Sequence, residues 1–190
     1  MTADPHYRLE RTLFDAATIA SRLDALAAEI TAFYCDKPHT VLAILNGSLV
    51  FAADLLRRIP LALRLECLGV ASYHGGMESR GAVTFLQNSL PDFAGRHVLI
   101  LDDILDTGCT LHAIRQRLLA DAAPLSVRVA VLLRKSKLRA QPLDADYVGF
   151  DIEDDFVVGY GLDHQGHYRN LPDVRVLTCV TPSVAIPSFR

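Results

Sequence analysis

The sequence has no long hydrophobic run and no excess of positive charge. No apolar stretch approaches the roughly 18 residues that a membrane-spanning helix needs. The opening residues, MTADPHYRLERTLF, lack the basic and then apolar pattern of a signal peptide, so we expect no export. The formal net charge is −3, and this argues against nucleic acid as a partner.

Cysteine is also scarce and scattered. The four cysteines are Cys35, Cys67, Cys109 and Cys179, and no two of them form a CxxC pair. This spacing is typical of free thiols and does not fit a disulfide framework or a zinc site. The sequence therefore predicts a cytoplasmic protein.

The hydrophobic pattern predicts one α/β domain across the 190 residues. Apolar residues at steps of three and four predict an amphipathic helix over 19–33, and similar spacing predicts helices after residues 48 and 110. Short continuous apolar runs between the helices are typical of buried parallel strands. We predict strands at 41–45, 64–72, 98–101 and 127–133, with extended segments at 83–86, 147–152 and 156–160. The result is a doubly wound fold, whose ligands bind at the carboxyl ends of the strands.

The segment 97–110, HVLILDDILDTGCT, is the most informative part of the chain. A buried strand ends in Asp102 and Asp103, and a third carboxylate, Asp106, begins a D-T-G-x-T turn before a helix. Backbone N–H groups at such a helix start bind about one phosphate. The turn contains no Lys, so it is not a Walker A loop.

Three other interpretations of this segment are possible. A haloacid-dehalogenase-like phosphatase has its two acids two residues apart, whereas Asp102 and Asp103 are adjacent. An aspartic protease also contains D-T-G, but its frame is all-β and this turn runs into a helix. The simplest structural alternative makes Asp106 a plain helix N-cap and leaves the other two acids solvated, although charge beside a buried strand is costly.

A ligand that combines a phosphate, a vicinal diol and a metal-bound anionic group would explain both features of the segment: the D-T-G-x-T turn, which we call the phosphate cradle, and the carboxylates of Asp102 and Asp103. Carboxylates accept hydrogen bonds from sugar hydroxyls, and Mg²⁺ prefers oxygen ligands and bridges to phosphates. The segment VLILDDILDTGCTL resembles the phosphoribosyl-pyrophosphate motif of the type I phosphoribosyltransferases. Further stretches are similar to the purine branch, the hypoxanthine-guanine phosphoribosyltransferases: LNGSLVFAADLL (45–56), SYHGGMESRG (72–81), LLRK (132–135) and DYVGFDIEDDFVVGYGLDHQGHYRNLP (146–172).

This resemblance implies the phosphoribosyltransferase type I fold, with a central mainly parallel sheet flanked by helices and a small C-terminal hood lobe. It places the core at about 10–145 and the base-binding hood mainly at 146–180. It implies transfer of 5-phosphoribosyl to hypoxanthine or guanine, with Mg²⁺ as cofactor, and self-association as a homodimer or homotetramer. A xanthine-preferring enzyme and a non-catalytic regulator of the same fold remain alternatives, although the low net charge offers no basic face for RNA.

The resemblance also assigns site residues. Asp106 matches the general base, and Lys135 the lysine that donates to the purine 6-oxo group. Ribose and phosphate would be bound by Asp102, Asp103, Thr107, Gly108, Cys109 and Thr110, and pyrophosphate by Leu45, Asn46, Gly47 and Arg169. The purine would contact Lys135, Phe156, Val157 and Asp163, the metal would lie near Asp163, Asp102 and Asp103, and Ser72 and Tyr73 would belong to a mobile lid.

One position departs from the pattern of the family. Many relatives have Lys before the glycine of the pyrophosphate turn, and this chain has Asn46. The resemblance then implies that backbone groups, the metal and Arg169 hold more of the pyrophosphate charge.

Overall fold

The computed structural model describes residues 7–72, 83–86 and 89–179. Most of these residues belong to nine strands and three helices. In chain order the elements are β1 (Tyr7–Phe14), α1 (Ala16–Tyr34), β2 (His39–Leu45), α2 (Leu49–Leu56), β3 (Arg64–Ser72), β4 (Val83–Phe85), β5 (His97–Leu105), α3 (Cys109–Asp121), β6 (Ser126–Lys135), β7 (Tyr147–Ile152), β8 (Val157–Val158) and β9 (Val174–Cys179).

The larger sheet has six strands in the order β4-β3-β2-β5-β6-β7. All neighbouring pairs are parallel except β3 with β4, which is antiparallel. The predicted α/β fold with a mainly parallel central sheet is confirmed.

The helices cover both faces of this sheet. Val41 and Ala43 of β2 pack in one hydrophobic cluster with α1 and α2, whereas Leu42 and Ile44 pack in another with α3. This alternation follows from the two-residue period of a strand, which turns successive side chains to opposite faces. Burial on both faces explains why the strand sequences are continuous apolar runs.

The first helix has clear sequence signals at its start and along one face. The Asp15 carboxylate accepts a hydrogen bond from the Thr18 amide at 2.8 Å, which caps the helix. Ile19, Leu23 and Ile30 are buried at helical spacing, as their periodicity predicts. Among the described residues, no helix is long and apolar enough to cross a membrane.

The smaller sheet has the order β1-β9-β8, with both pairs antiparallel. The strand β7 pairs in parallel with β6 and completes the larger sheet. The smaller sheet contains β8 and β9, which lie within the expected hood at 146–180, and the strand Tyr7–Phe14 forms its edge by pairing with Val174–Cys179.

The parallel strands β2, β5, β6 and β7 end at one edge of the larger sheet. Leu45, Leu105, Lys135 and Ile152 are their last residues. The segments that follow these strands carry the residues of the candidate site, as expected for a sheet of this type.

Candidate active site

The predicted phosphate cradle is the turn between β5 and α3. Gly108 has a φ of 80°, in the left-handed region that glycine adopts readily. The Thr107 carbonyl accepts hydrogen bonds from the amides of Ala140 at 3.0 Å and Gln141 at 3.3 Å, which anchors the turn to the segment after β6. Thr107 is exposed and Thr110 is half-buried, so an anion can reach the start of the helix.

Two acidic side chains precede this turn, of which Asp102 is buried and Asp103 is half-buried. Asp102 is buried, with 7% of its surface exposed, and its Oδ1 accepts from the Asp103 amide at 3.1 Å. Burial, and secondarily the charge of Asp103, raises the pKa of the Asp102 carboxyl well above its usual range. Burial also raises the pKa of Asp103. Within the described parts of the chain, neither carboxylate has a cationic side chain within 4.0 Å, so the pair favours a ligand that brings a cation and hydroxyl donors.

The turn after β2 lies directly against this acidic pair. The peptide bond between Leu45 and Asn46 is cis. A Cβ on Gly47 would lie only 1.8 Å from Oδ2 of Asp103. A Cβ on Gly161 would lie 2.2 Å from the carbonyl oxygen of Gly47. Gly47, in the predicted pyrophosphate turn, therefore lies against both Asp103 and the hood segment at Gly161. A side chain at position 47 would not fit.

The hood brings a cation to the same place. Arg169 donates to the Gly161 carbonyl at 2.6 Å and forms an ion pair of 2.6 Å with Asp163. The Asp163 carboxylate also accepts from the Gly166 amide at 2.7 Å. The positive charge of Arg169 partly offsets the rise in the Asp103 pKa. Arg169 is thus held near the acidic pair, on the side of the predicted pyrophosphate turn.

A second charged cluster lies on the other side of the cradle, and we call it the Asp106 quartet: Asp106, Lys135, Lys137 and Asp154. Lys135 lies 3.5 Å from Oδ2 of Asp106, and Lys137 lies 2.5 Å from its Oδ1. Both ammonium groups also lie 2.8 Å from Oδ1 of Asp154. The contacts with Asp106 and Asp154 raise the pKa of Lys137, and hydrogen bonds from the two lysines hold the pKa of Asp154 at about 2.

Sequence reasoning identified Asp106 and Lys135 but missed Lys137 and Asp154. Lys137 follows Lys135 at a spacing of two, and Asp154 belongs to an acidic run that reads as a solvated turn. The signal that could have identified them is position: Lys137 follows the end of β6, and Asp154 lies two residues after the end of the neighbouring strand β7.

Two of the residues predicted to contact the purine, Phe156 and Val157, lie at the start of β8, an edge strand of the smaller sheet. Phe156 is 51% exposed and lies next to the buried Val157 of β8. Its carbonyl accepts from the Leu177 amide at 2.9 Å, and its ring lies edge-on to His164 at 5.5 Å. An exposed aromatic ring on a hydrogen-bonded backbone is able to stack on a flat ligand.

A short hydrogen bond fixes the hood loop to the core. The Tyr160 hydroxyl donates to Asp54 of α2 at 2.6 Å, and burial together with this bond raises the pKa of Tyr160. Of the predicted lid, Ser72 is the last residue of β3, and Tyr73 lies outside the described residues.

The donor set around Asp103 fits a Mg²⁺ ion that is shared with a substrate. In the described ranges, no three acidic, histidine or cysteine side chains converge to form a complete metal cage. The expected trio with Asp163 is thus not preassembled, because Asp163 is held by Arg169 and Gly166. Mg²⁺ binds through one or two carboxylates and takes its other ligands from phosphates and water, so the adjacent carboxylates of Asp102 and Asp103 suit it.

Comparison with known proteins identifies the family. The phosphoribosyl transferase domain family matches residues 11–165. The hypoxanthine-guanine phosphoribosyltransferase of Staphylococcus epidermidis strain RP62A is 41% identical over 172 residues, covering 90% of this chain and 96% of that protein. The enzyme of the same name from Streptococcus pneumoniae strain R6 is 38% identical over 169 residues, covering 89% and 93% of the two chains.

The fold agrees with a solved structure. The crystal structure of a hypoxanthine phosphoribosyltransferase from Staphylococcus aureus superposes with a TM-score of 0.83 at 39% identity, covering 90% of this chain and 92% of that chain. The chain therefore belongs to the phosphoribosyltransferase family of enzymes, in its hypoxanthine-guanine branch.

Proposed function

We propose that this enzyme transfers the 5-phosphoribosyl group from phosphoribosyl pyrophosphate to hypoxanthine or guanine. The products are IMP or GMP and pyrophosphate. The observation that carries the proposal is the meeting of three groups around the turn after β5: a helix-start cradle, an acidic pair with no cationic side chain within 4.0 Å in the described parts of the chain, and an aspartate flanked by lysines. Family membership supports this reading.

In this proposal the sugar phosphate binds along β5 and its turn. The 5′-phosphate accepts hydrogen bonds from the amides of residues 107–110, including Cys109, and from the Thr107 and Thr110 hydroxyls. Asp102 and Asp103 accept hydrogen bonds from the ribose diol. The pyrophosphate lies against the turn from Leu45 to Gly47, close to Arg169, which lies beside Gly161 and Asp163. Asn46 carries no charge, so the guanidinium of Arg169 takes a larger part there.

The purine binds between the hood and the Asp106 quartet. Phe156 stacks on the ring, and the backbone of Val157 contacts the ring edge. Lys135 donates to the 6-oxo oxygen, for which it leaves its contacts with Asp106 and Asp154. A cation at this position favours 6-oxopurines over adenine, because the 6-amino group of adenine would leave the ammonium unpaired.

The chemistry needs charge stabilisation and one proton acceptor. The C1–O bond to pyrophosphate breaks with its electron pair on the leaving oxygen, and N9 forms the new bond to C1. Arg169 stabilises the departing charge, and Asp106 accepts the N7 proton, a general-base step typically worth about 10²–10⁴-fold. The chemistry that Mg²⁺ supplies when bound is Lewis-acid stabilisation of the pyrophosphate oxygens, with Asp102 and Asp103 as its holders and Asp163 nearby.

Three further expectations belong to the same proposal. The segment that begins with Ser72 and Tyr73 closes over the bound sugar and excludes water that would otherwise hydrolyse it. The enzyme acts in the cytoplasm, in agreement with four cysteines that form no disulfide. It assembles as a homodimer or a homotetramer.

A direct assay tests the proposal. Purified protein is mixed with Mg²⁺, phosphoribosyl pyrophosphate and one of hypoxanthine, guanine, xanthine or adenine, and nucleotide is separated by chromatography. We expect IMP and GMP, little product with xanthine and none with adenine. Absence of nucleotide with every base would refute the proposal, and faster turnover of xanthine than of the other bases would replace it with the xanthine-preferring alternative.

A further inference from the structure

We infer that Lys137 is a positioning residue, which holds the Asp106 carboxylate in place while Lys135 is engaged by the base. The inference rests on the proposed function and adds to it a residue that the family motif does not assign. It begins from the Asp106 quartet, in which two ammonium groups and two carboxylates balance each other.

The two lysines do not share Asp106 equally. Lys137 lies 2.5 Å from one carboxylate oxygen, and Lys135 lies 3.5 Å from the other. Side-chain exposure also differs, at 27% for Lys137 and 9% for Lys135. Lys137 is therefore the main partner of Asp106. Lys135 lies closer to Asp154, at 2.8 Å, than to Asp106, at 3.5 Å.

Base binding would change this balance. When Lys135 turns to the 6-oxo oxygen, Asp106 and Asp154 each lose one cationic neighbour. Lys137 lies within 2.8 Å of both carboxylates, so it remains as the one bridge between them among the four residues. Without it, Asp106 would be free to rotate and would face Asp154 with no cation between them, a repulsive arrangement.

The backbone places Lys137 where this role is possible. The Ser136 amide donates to the Ile152 carbonyl at 2.8 Å, so the turn after β6 is tied to the end of β7. The same two strands pair through Lys135 and Ile152. Lys137 and Asp154 thus follow the ends of two paired strands.

The expected effect is on the proton transfer and not on purine affinity. Misplacing a catalytic group by about 1 Å can cost on the order of 10²-fold, so we expect Lys137→Gln to slow nucleotide formation about 10-fold to 100-fold. The KM for guanine should change by about twofold or less, because Lys135 and Phe156 still contact the base. The rate is best measured in single turnover, since product release often limits kcat.

A second base separates positioning from a general structural defect. In 8-azaguanine the five-membered ring is a triazole, whose N–H is more acidic and needs less help from a general base. By Brønsted reasoning, Lys137→Gln should slow this substrate by only about threefold. Lys137→Arg keeps a cation that can bridge two carboxylates, and it should restore most of the guanine rate.

The experiment compares single-turnover rates for both bases in wild type, Lys137→Gln, Lys137→Arg and Leu138→Ala. Leu138 is the matched control, because it is the next residue and its side chain is 99% exposed. Asp154→Asn gives a second route, since it removes the other anchor of Lys137, and it should show the same selective loss even if Lys137→Gln fails to fold.

A larger loss for guanine than for 8-azaguanine in Lys137→Gln or Asp154→Asn supports the inference. Equal losses for the two bases, or an unchanged or faster rate with guanine, would overturn it. If wild type forms no nucleotide from any purine, the proposed function fails instead, so the two failures are distinguishable.

Discussion

The close contact between Gly47 and Asp103 allows a sharp test of how the proposed sugar site is built. The Gly47→Ala substitution would place a Cβ 1.8 Å from Oδ2 and 2.5 Å from Cγ of Asp103. Ordinary contact begins near 3.4 Å, so the carboxylate would have to withdraw by about 1.6 Å. A shift of about 1 Å in a positioned group can cost on the order of 10²-fold in rate, and we therefore expect kcat/KM for phosphoribosyl pyrophosphate to fall about 10²-fold, or about 3 kcal/mol.

The cost to folding should be smaller than the cost to activity. Overpacking of this kind destabilises by about 1–3 kcal/mol, and about 2–4 °C of Tm is lost per kcal/mol in a chain of this size. Steady-state kinetics with varied phosphoribosyl pyrophosphate, together with thermal unfolding, measures both effects.

The matched control is Gly69→Ala, in the strand next to the pyrophosphate turn. Gly69 pairs with Leu45, and a Cβ there would lie 3.0 Å from Cδ1 of Leu86, while Cβ and Cγ of Leu86 would be at ordinary contact distances of 3.4 and 3.5 Å. Leu86 is 68% exposed and can move aside, so we expect kcat/KM to stay within about twofold of wild type. Wild-type kcat/KM in Gly47→Ala would refute the reasoning, because Asp103 would then bind the sugar equally well after leaving its place against the turn.

Three further outcomes follow from the site. Asp106→Asn should keep nucleotide binding, measured by calorimetry, and lose about 10²–10⁴-fold in single-turnover rate; full activity would end its assignment as general base. Lys135→Ala should lose the preference for hypoxanthine over adenine in competition assays, and an unchanged preference would contradict its role. Asp102→Asn should raise the Tm of the substrate-free protein. Burial raises the pKa of Asp102, so the folded state binds the proton of this carboxyl more tightly than the unfolded state does. The folded protein therefore loses stability as pH rises above 3.8, the ordinary pKa of an Asp carboxyl. The Tm difference should therefore widen as pH rises from 4 to 7, and a constant difference would count against a buried ionised carboxyl.

The strands of the larger sheet were predictable because burial on both faces leaves a continuous apolar run. The strands β3 and β7 have the predicted bounds, 64–72 and 147–152. The strand β5 continues beyond the predicted end at Leu101, because its parallel pairing with β6 extends to Leu105 and Arg134. Asp102 and Asp103 thus belong to β5 because β5 pairs with β6 beyond Leu101. The local sequence pattern contains no signal for this pairing.

The small sheet was harder to foresee. The strand β1, with the sequence YRLERTLF, places charged residues among its apolar ones and lies at the edge of a three-stranded sheet, so it has neither a continuous run nor a clean alternation. Its partner β9 is 160 or more residues away along the chain. Pairing over such a distance leaves no local signal in one sequence.

The family is confirmed by comparison, whereas the roles of single site residues remain predictions. The structure brings Asp103, Gly47 and Arg169 together on one side of the turn after β5, and Asp106 and Lys135 on the other. The motif could identify these residues because each one matches a position in a known pattern. Lys137 and Asp154 match no such position, and their partnership arises only when β6 and β7 pair.

The pairing of β1 with β9 has a consequence for the order of folding. During synthesis, residues 7–14 are made well before residues 174–179, and they find their hydrogen-bonding partner only when those later residues have been added. The parallel strands of the larger sheet can pair as soon as they have been made. The small sheet, which contains Val157, depends on a contact between distant parts of the chain, and such contacts form slowly. The turn after β5 would therefore form before the small sheet, so the proposed phosphate site would be complete before the proposed base pocket.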